Sequence, residues 1–376
     1  MTTRSFMTFR SLVLGTVAIG LAGAGISSAN AAETEKKVAV SGFINRALAI
    51  TDDGDNSYVD FGENSADGSR FRMTGTSTGG GMTIGAEIEL GLNRNQDQDQ
   101  GQNSSNTTTN GLTQRTAYVW AESEKWGTLT LGQAETAFSG VTEVDLSGTE
   151  AAAYNASGAL STGYYFLKSG EKGGTTTGAI GAAAAANPAI GSVFGDFSGD
   201  IRNDLIRYDT PDYKGFAMGV SMAQGGVFDG SVNYSGKFYN TEVAAAAGFS
   251  NSRAVDSTMA YGASVSALHA SGVNATLAWG KSTNTGRRDS RNLYTKLGYQ
   301  MKLNSFGPTN VSASWEKDDN LAADKDTATA WGLQLVQGLE GYGTELYVAY
   351  TNYGLDRTGV SYKDISTGYV GAVVKF

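Results

Sequence analysis

The chain has 376 residues, a formal net charge of -9, no cysteine and one histidine. These counts exclude a disulfide framework, thiol catalysis and a multi-histidine metal site, and the acidic balance argues against a nucleic-acid partner. Its 51 glycines against 3 prolines suit many strands in mutual register, because proline removes a ladder donor.

Residues 1–31 read as a secretory signal peptide. Arg4 and Arg10 supply the positive start, 12–26 the apolar run, and Ala29-Asn30-Ala31 a small-residue cleavage site. The run is shorter than the roughly 20 apolar residues that a spanning helix needs. The mature chain, 32–376, loses both arginines, which takes its charge from -9 to -11.

Alternation with period two then predicts sixteen strands. The first eight are 38–50, 69–78, 82–92, 113–123, 126–133, 201–210, 214–224 and 227–235. The second eight are 238–250, 257–268, 272–282, 290–302, 308–318, 326–338, 343–354 and 366–376. Most have the length that crosses a bilayer when tilted, and an even count lets the termini meet and close the sheet. In the third strand Ile84, Ala86, Ile88 and Leu90 oppose Thr83, Gly85, Glu87 and Glu89. A sandwich would alternate too, but its second face would not carry the small polar and charged residues of a wet lumen.

Connection lengths sort by parity. Even-numbered ones such as 79–81, 124–125, 211–213 and 236–237 are short. Odd-numbered ones such as 51–68, 93–112 and 134–200 are long, with 225–226 the exception. Short turns on one rim and long loops on the other belong to outer-membrane barrels. Trp126, Tyr213, Phe216, Phe238, Tyr239, Phe306 and Tyr342 cluster beside the short turns, where an interfacial girdle is expected. The chain ends on an alternating strand closed by Phe376. Sequence therefore predicts an all-β fold: a sixteen-stranded antiparallel transmembrane β-barrel forming one domain over 32–376.

Three segments resemble the Gram-negative general porins. Val-Ala-Val-Ser-Gly-Phe-Ile-Asn-Arg-Ala-Leu at 38–48 is similar to their first strand, and Ser-Arg-Phe-Arg-Met-Thr-Gly at 69–75 to their second. Ile-Arg-Tyr-Asp-Thr-Pro at 206–211, before Gly215-Phe216, is similar to the strand and turn after their constriction loop. The resemblance implies an outer-membrane homotrimer for passive diffusion of small hydrophilic solutes and ions. It implies partners in outer-membrane lipid, lipopolysaccharide and, through Phe376, the barrel-assembly machinery. It also implies that the 134–200 connection folds inward as a constriction loop. The enteric Pro-Glu-Phe-Gly-Gly motif is absent there, and a low-complexity run at 178–186 stands instead.

The candidate acids of that loop are Glu135, Glu143, Asp145 and Glu150. Arg70 and Arg72 share a face of the second strand, opposite Phe71 and Met73. A charge facing lipid costs roughly 2–4 kcal/mol, so both should point inward, with Arg115 and Arg207 beside them. Parity puts Arg115 opposite Tyr118 and Trp120. The resemblance matches Arg70 and Arg115 to the basic wall of the constriction. Arginines and carboxylates facing each other would set a transverse field, and the acidic excess gives a mild cation preference. Alternatively the arginines neutralise the lumen residues Glu87 and Glu89. Arg46 falls on the apolar face, which suits a subunit interface or a bulge.

A selective channel for an anion or a sugar is the alternative, with Tyr294, Tyr347 and Tyr369 at inward parity for a sugar track. A barrel enzyme needs a base beside its nucleophile, and His269, in a short turn, has no inward serine. No enzyme activity, metal or cofactor is expected.

Overall fold

The computed structural model describes residues 34–64, 66, 68–94, 101–102, 110–153, 161–174, 186–198, 201–251 and 257–376. The expected signal peptide and most of the low-complexity run lie outside the described residues. The first nine strands are β1 (Glu35–Asp52), β2 (Ser57–Gly62), β3 (Arg70–Gly79), β4 (Met82–Arg94), β5 (Asn110–Ser123), β6 (Gly127–Glu135), β7 (Arg202–Asp209), β8 (Phe216–Ala223) and β9 (Val227–Phe238). The remaining nine are β10 (Thr241–Ser250), β11 (Ser257–His269), β12 (Val273–Asn284), β13 (Ser290–Met301), β14 (Thr309–Asp319), β15 (Thr327–Leu339), β16 (Thr344–Arg357), β17 (Val360–Ser361) and β18 (Ile365–Lys375).

Each strand from β3 to β16 pairs antiparallel with the next. β16 then pairs β18, and β18 pairs β1, with Phe43 opposite Lys375 and Asp52 opposite Ser366. The first part of β1 meets β3, which closes a sixteen-stranded ring of β1, β3 to β16 and β18. All sixteen expected strands appear, each within three residues of its expected limits. β2 and β17 were not expected. β2 continues the β1 edge beyond β3, pairing Ala47–Asp52, and β17 folds back on the end of β16.

The two faces differ as the alternation requires. In β8, Phe216, Met218, Val220 and Met222 are exposed while Ala217, Gly219, Ser221 and Ala223 are buried. The seven girdle aromatics beside the short turns are all exposed, Tyr239 the most at 84 %. A second row beneath the long loops is also exposed: Tyr261, Trp279, Trp315, Trp331 and Tyr350. Gly80 and Gly81 have φ of 61° and 78°, as a tight two-residue turn between β3 and β4 needs.

The terminal strand is seated by its own aromatic. Phe376 exchanges both backbone hydrogen bonds with Gly42, at 3.0 Å each, and its ring lies over that glycine. Arg46 stays on the outer face, half-buried in a groove lined by Leu48, Phe61, Val370 and Ala372. No bulge intervenes there, since β1 and β18 run in unbroken register past it.

Candidate channel constriction

On β3 the outward turn of Met73 leaves Arg70 and Arg72 on the buried face, as parity predicts. There they meet Glu87 and Glu89 of β4, at 6 % and 2 % exposure. Glu89 accepts from Arg115 Nε at 2.6 Å and from Arg72 Nε at 3.0 Å, with Arg70 Nη1 3.9 Å away. Glu87 lies 3.4 Å from Arg72 Nε and accepts from Thr74 Oγ1 at 3.2 Å. Arg70 also donates from Nε to Gly68 O at 3.0 Å and rests over the Phe43 ring. Three guanidinium groups thus share two carboxylates. The sequence alternative in which the arginines neutralise Glu87 and Glu89 is the geometry found.

Arg115 reaches this cluster for a different reason from the expected one. The β4–β5 register runs Glu89↔Thr116 and then Leu90↔Gln114, so Arg115 is the extra residue of a bulge. Parity changes across it. Tyr118 and Trp120 therefore share the buried face with Arg115, and Trp120, 4 % exposed, lies against Gly85. A β-carbon at Gly85 would fall 2.2 Å from that ring.

Arg207 sits on the buried face of β7. It clamps Asp209 from Nε at 2.8 Å and 3.1 Å, and its Nη1 donates to the carbonyls of Glu135 and Thr136 at 3.1 Å and 3.0 Å. It thereby fixes the start of the long connection.

Between Ala137 and Ala152 that connection is tied to buried-face side chains. Ser221 Oγ accepts from Ala137 N at 2.9 Å, Ser264 Oγ from Val144 N at 3.1 Å, and Ser266 Oγ from Leu146 N at 2.9 Å. Gln300 donates to Leu146 O at 2.7 Å, Asn310 to Gly148 O at 2.9 Å, and Tyr369 OH to Ala152 O at 2.5 Å. The Thr149 and Ser312 hydroxyls bond at 2.8 Å. Beyond these, Tyr164, Phe166, Ile190 and Phe194 pack with Tyr347, Tyr353, Ile365 and Tyr369 into one apolar cluster. A four-residue helix, α1 (Ile190–Val193), belongs to it.

The four candidate acids are not gathered into one group. Glu135 ends β6, and Glu143 and Glu150 are half-buried. Asp145 takes Lys296 Nζ at 2.6 Å, Ser147 N at 2.7 Å and Thr276 Oγ1 at 3.2 Å. Lys296 is buried and also donates to Ala153 O at 3.0 Å. Sequence reasoning overlooked Lys296, although its parity with Asn292 and Tyr294 on β13 was readable. Tyr294, Tyr347 and Tyr369 do occupy the buried face, at 5 %, 1 % and 3 % exposure. They are covered by protein, which removes them as a wet sugar track.

His269 lies in an exposed turn. Its Nδ1 accepts from Ser271 N at 3.1 Å and lies 2.8 Å from Ser271 Oγ, closing the turn locally. Among the described residues, no group of three or more His, Cys, Asp or Glu is placed to hold a metal ion.

The family model described as Gram-negative porin matches residues 15–358. No curated protein sequence matches at a significant level. Among solved structures the chain is similar to the anion-selective porin from Comamonas acidovorans, at 17% identity and TM-score 0.59, over 91% of this chain and 100% of that one. It is similar to in-vitro folded OmpT, an outer membrane protein of Vibrio cholerae, in its trimer form, at 12% identity and TM-score 0.57, over 91% and 99%. It is similar to Salmonella typhi OmpF in complex with daunomycin, at 15% identity and TM-score 0.55, over 91% and 98%.

Proposed function

Because the chain belongs to the Gram-negative porin family and so forms an outer-membrane channel for passive diffusion, we propose that the 134–200 connection narrows its lumen and sets selectivity there. The observation that carries this reading is the row of bonds from Ser221, Ser264, Ser266, Asn310, Ser312 and Tyr369 to the connection. All six side chains belong to the face turned away from lipid. Small hydrophilic solutes and ions pass the remaining opening, beside Arg70, Arg72, Arg115 and Arg207. Narrowness sets the size limit, and solutes shed little water against a polar wall.

The channel prefers cations mildly. Asp145 is matched by Lys296, and Asp209 by Arg207. Glu87 and Glu89 are matched by the three arginines, and the sign rests on the acidic excess of the mature chain, -11 in formal charge. The opposite sign is the second reading, favoured by three guanidinium groups on two carboxylates and by the anion selectivity named for the Comamonas protein. A homotrimer is the working assembly. An arginine facing lipid costs roughly 2–4 kcal/mol, so half-buried Arg46 supports a subunit contact at the β1–β18 seam. Lipopolysaccharide surrounds the trimer, and the strand ending in Phe376 presents it to the assembly machinery. Residues 1–31 direct export.

Reversal potential across a planar bilayer under a potassium chloride gradient tests the reading. Stepwise conductance with a potential on the cation side is expected. Well-folded protein that gives no steps would refute the channel, and a potential on the anion side would refute the preference.

A further inference from the structure

We infer that the inner wall beside Arg72 carries a subsite for a small planar aromatic carboxylate, with Tyr118 as its shelf; this rests on the diffusion-channel reading above. The bulge at Arg115 creates the shelf. Strict alternation would turn Tyr118 to lipid, whereas the bulge sets it opposite Glu87 on the inner face. Bulges next to functional sites commonly re-aim one side chain in this way.

Register puts the phenol between two guanidinium groups. Tyr118 is opposite Glu87, Glu87 is opposite Thr74, and Arg72 is the next inward residue of β3 towards the long loops. On its other side Tyr118 is opposite Gly132, Gly132 is opposite Leu205, and Arg207 is the next inward residue of β7 towards the short turns. The two arginines are not equivalent. Arg207 spends Nε and Nη2 on Asp209 and Nη1 on the carbonyls of Glu135 and Thr136. Arg72 gives Nε and Nη2 to Glu89, and among the described residues its Nη1 makes no hydrogen bond. Its side chain is 24% exposed. Arg70 and Arg115 share Glu89 with it, so guanidinium groups outnumber carboxylates there. Arg72 is therefore the group that meets an incoming carboxylate, through a charge-assisted bond.

The ring of Tyr118 is already fixed. It packs against the apolar patch of Ala134, Leu205 and Ala223, with the Trp120 ring 5.6 Å away and Glu87 beside its hydroxyl. It is only half-buried, so part of its surface is left to a solute. A ring held in this way loses little freedom when a second ring stacks on it. An aromatic carboxylate engages guanidinium and phenol together. An aliphatic acid engages the first alone, and a neutral arene the second alone. One local anion subsite leaves the ion preference to the field of the whole mouth.

The test follows the potassium chloride conductance of the full barrel in a planar bilayer as benzoate, cyclohexanecarboxylate or acetate is added. Benzoate and cyclohexanecarboxylate share charge and carbon count, so the flat π-ring is what separates them. Half-block by benzoate should come at a concentration roughly threefold to tenfold below that of cyclohexanecarboxylate, the worth of one ring–ring contact. Tyr118→Leu should abolish this ratio and Tyr118→Phe should keep it. Arg72→Gln should weaken benzoate and acetate alike. Equal half-block by the two cyclic acids would overturn the proposal, as would a ratio that survives Tyr118→Leu. The comparison in the parent protein needs no variant and decides the matter even where Tyr118→Leu does not fold. If the parent conducts nothing, the channel reading falls, and saturation-transfer NMR of the two acids on the detergent-solubilised barrel still decides the subsite by the same ratio.

Discussion

Replacing Lys296 by Met tests how the long connection is held. The ammonium has no solvent exposure and binds Asp145 Oδ2 at 2.6 Å and Ala153 O at 3.0 Å. Its removal leaves the Asp145 carboxylate with one hydroxyl and one N–H donor in a buried place. Breaking one side of a buried pair costs roughly 3–5 kcal/mol. The seven remaining ties to the connection, at about 1 kcal/mol each, sum to roughly 7 kcal/mol. The connection should therefore stay docked, and conductance should hold, while stability falls. D145N/K296M should recover most of the loss, because no bare charge is left. Guanidinium unfolding in detergent, followed by tryptophan fluorescence and gel mobility, measures all four corners of the cycle. A coupling of about 2 kcal/mol or more is expected. Coupling below about 0.5 kcal/mol would refute the buried lock, and a large rise in conductance for K296M alone would refute the hydroxyl ties.

Three further outcomes are expected. Arg115→Ala removes one of the guanidinium groups bound to Glu89 and should raise cation over anion permeability about twofold; an unchanged reversal potential would exclude Arg115 from selectivity. Gly42→Val places a β-carbon 2.4 Å from Arg70 O and 2.9 Å from the Phe376 ring. It should cost roughly 2–3 kcal/mol and lower the yield of heat-modifiable barrel on gels; normal yield would show that the seat of Phe376 is unimportant. In the outer loops, Lys172 donates to Asp55 at 3.0 Å and holds its carboxyl below the ordinary 3.8. A depressed value means that the tether is complete above that ordinary value and lost as pH falls through the lowered one. Hydrogen-exchange protection over 161–174 should persist at about pH 5 and be lost only once the pH has fallen well below the ordinary carboxyl value; constant protection would refute the tether.

Strand number, strand limits and the sorting of faces were legible because a barrel repeats one rule: every second residue meets lipid. Ile84 and Glu87 reveal their faces without any partner being known. What stayed hidden depended on departures from that rule. The bulge at Arg115 inverts parity within one strand, and nothing in Thr-Gln-Arg-Thr announces it. Strict alternation sends Tyr118 and Trp120 outward when Arg115 points inward, and the bulge instead puts all three on one face. β2 was hidden in an Asp- and Gly-rich stretch where six residues carry little periodic signal. The match of Asp145 to Lys296 joins residues 151 positions apart, a separation over which pattern says nothing of contact. The inward parity of the tyrosines was right, but their coverage by the connection was a tertiary fact.

The seam between β1 and β18 joins Thr51 to Thr367 across 316 positions. Until β18 has been made, the opening strand has partners along one edge only, and an unfinished chain presents two unsatisfied ladder edges. Slow, non-local pairing of this kind comes late in folding. The join thus serves as a check on completeness: chains cut short at the carboxyl end remain open ribbons, fit for the periplasm's proteases and unfit for the membrane.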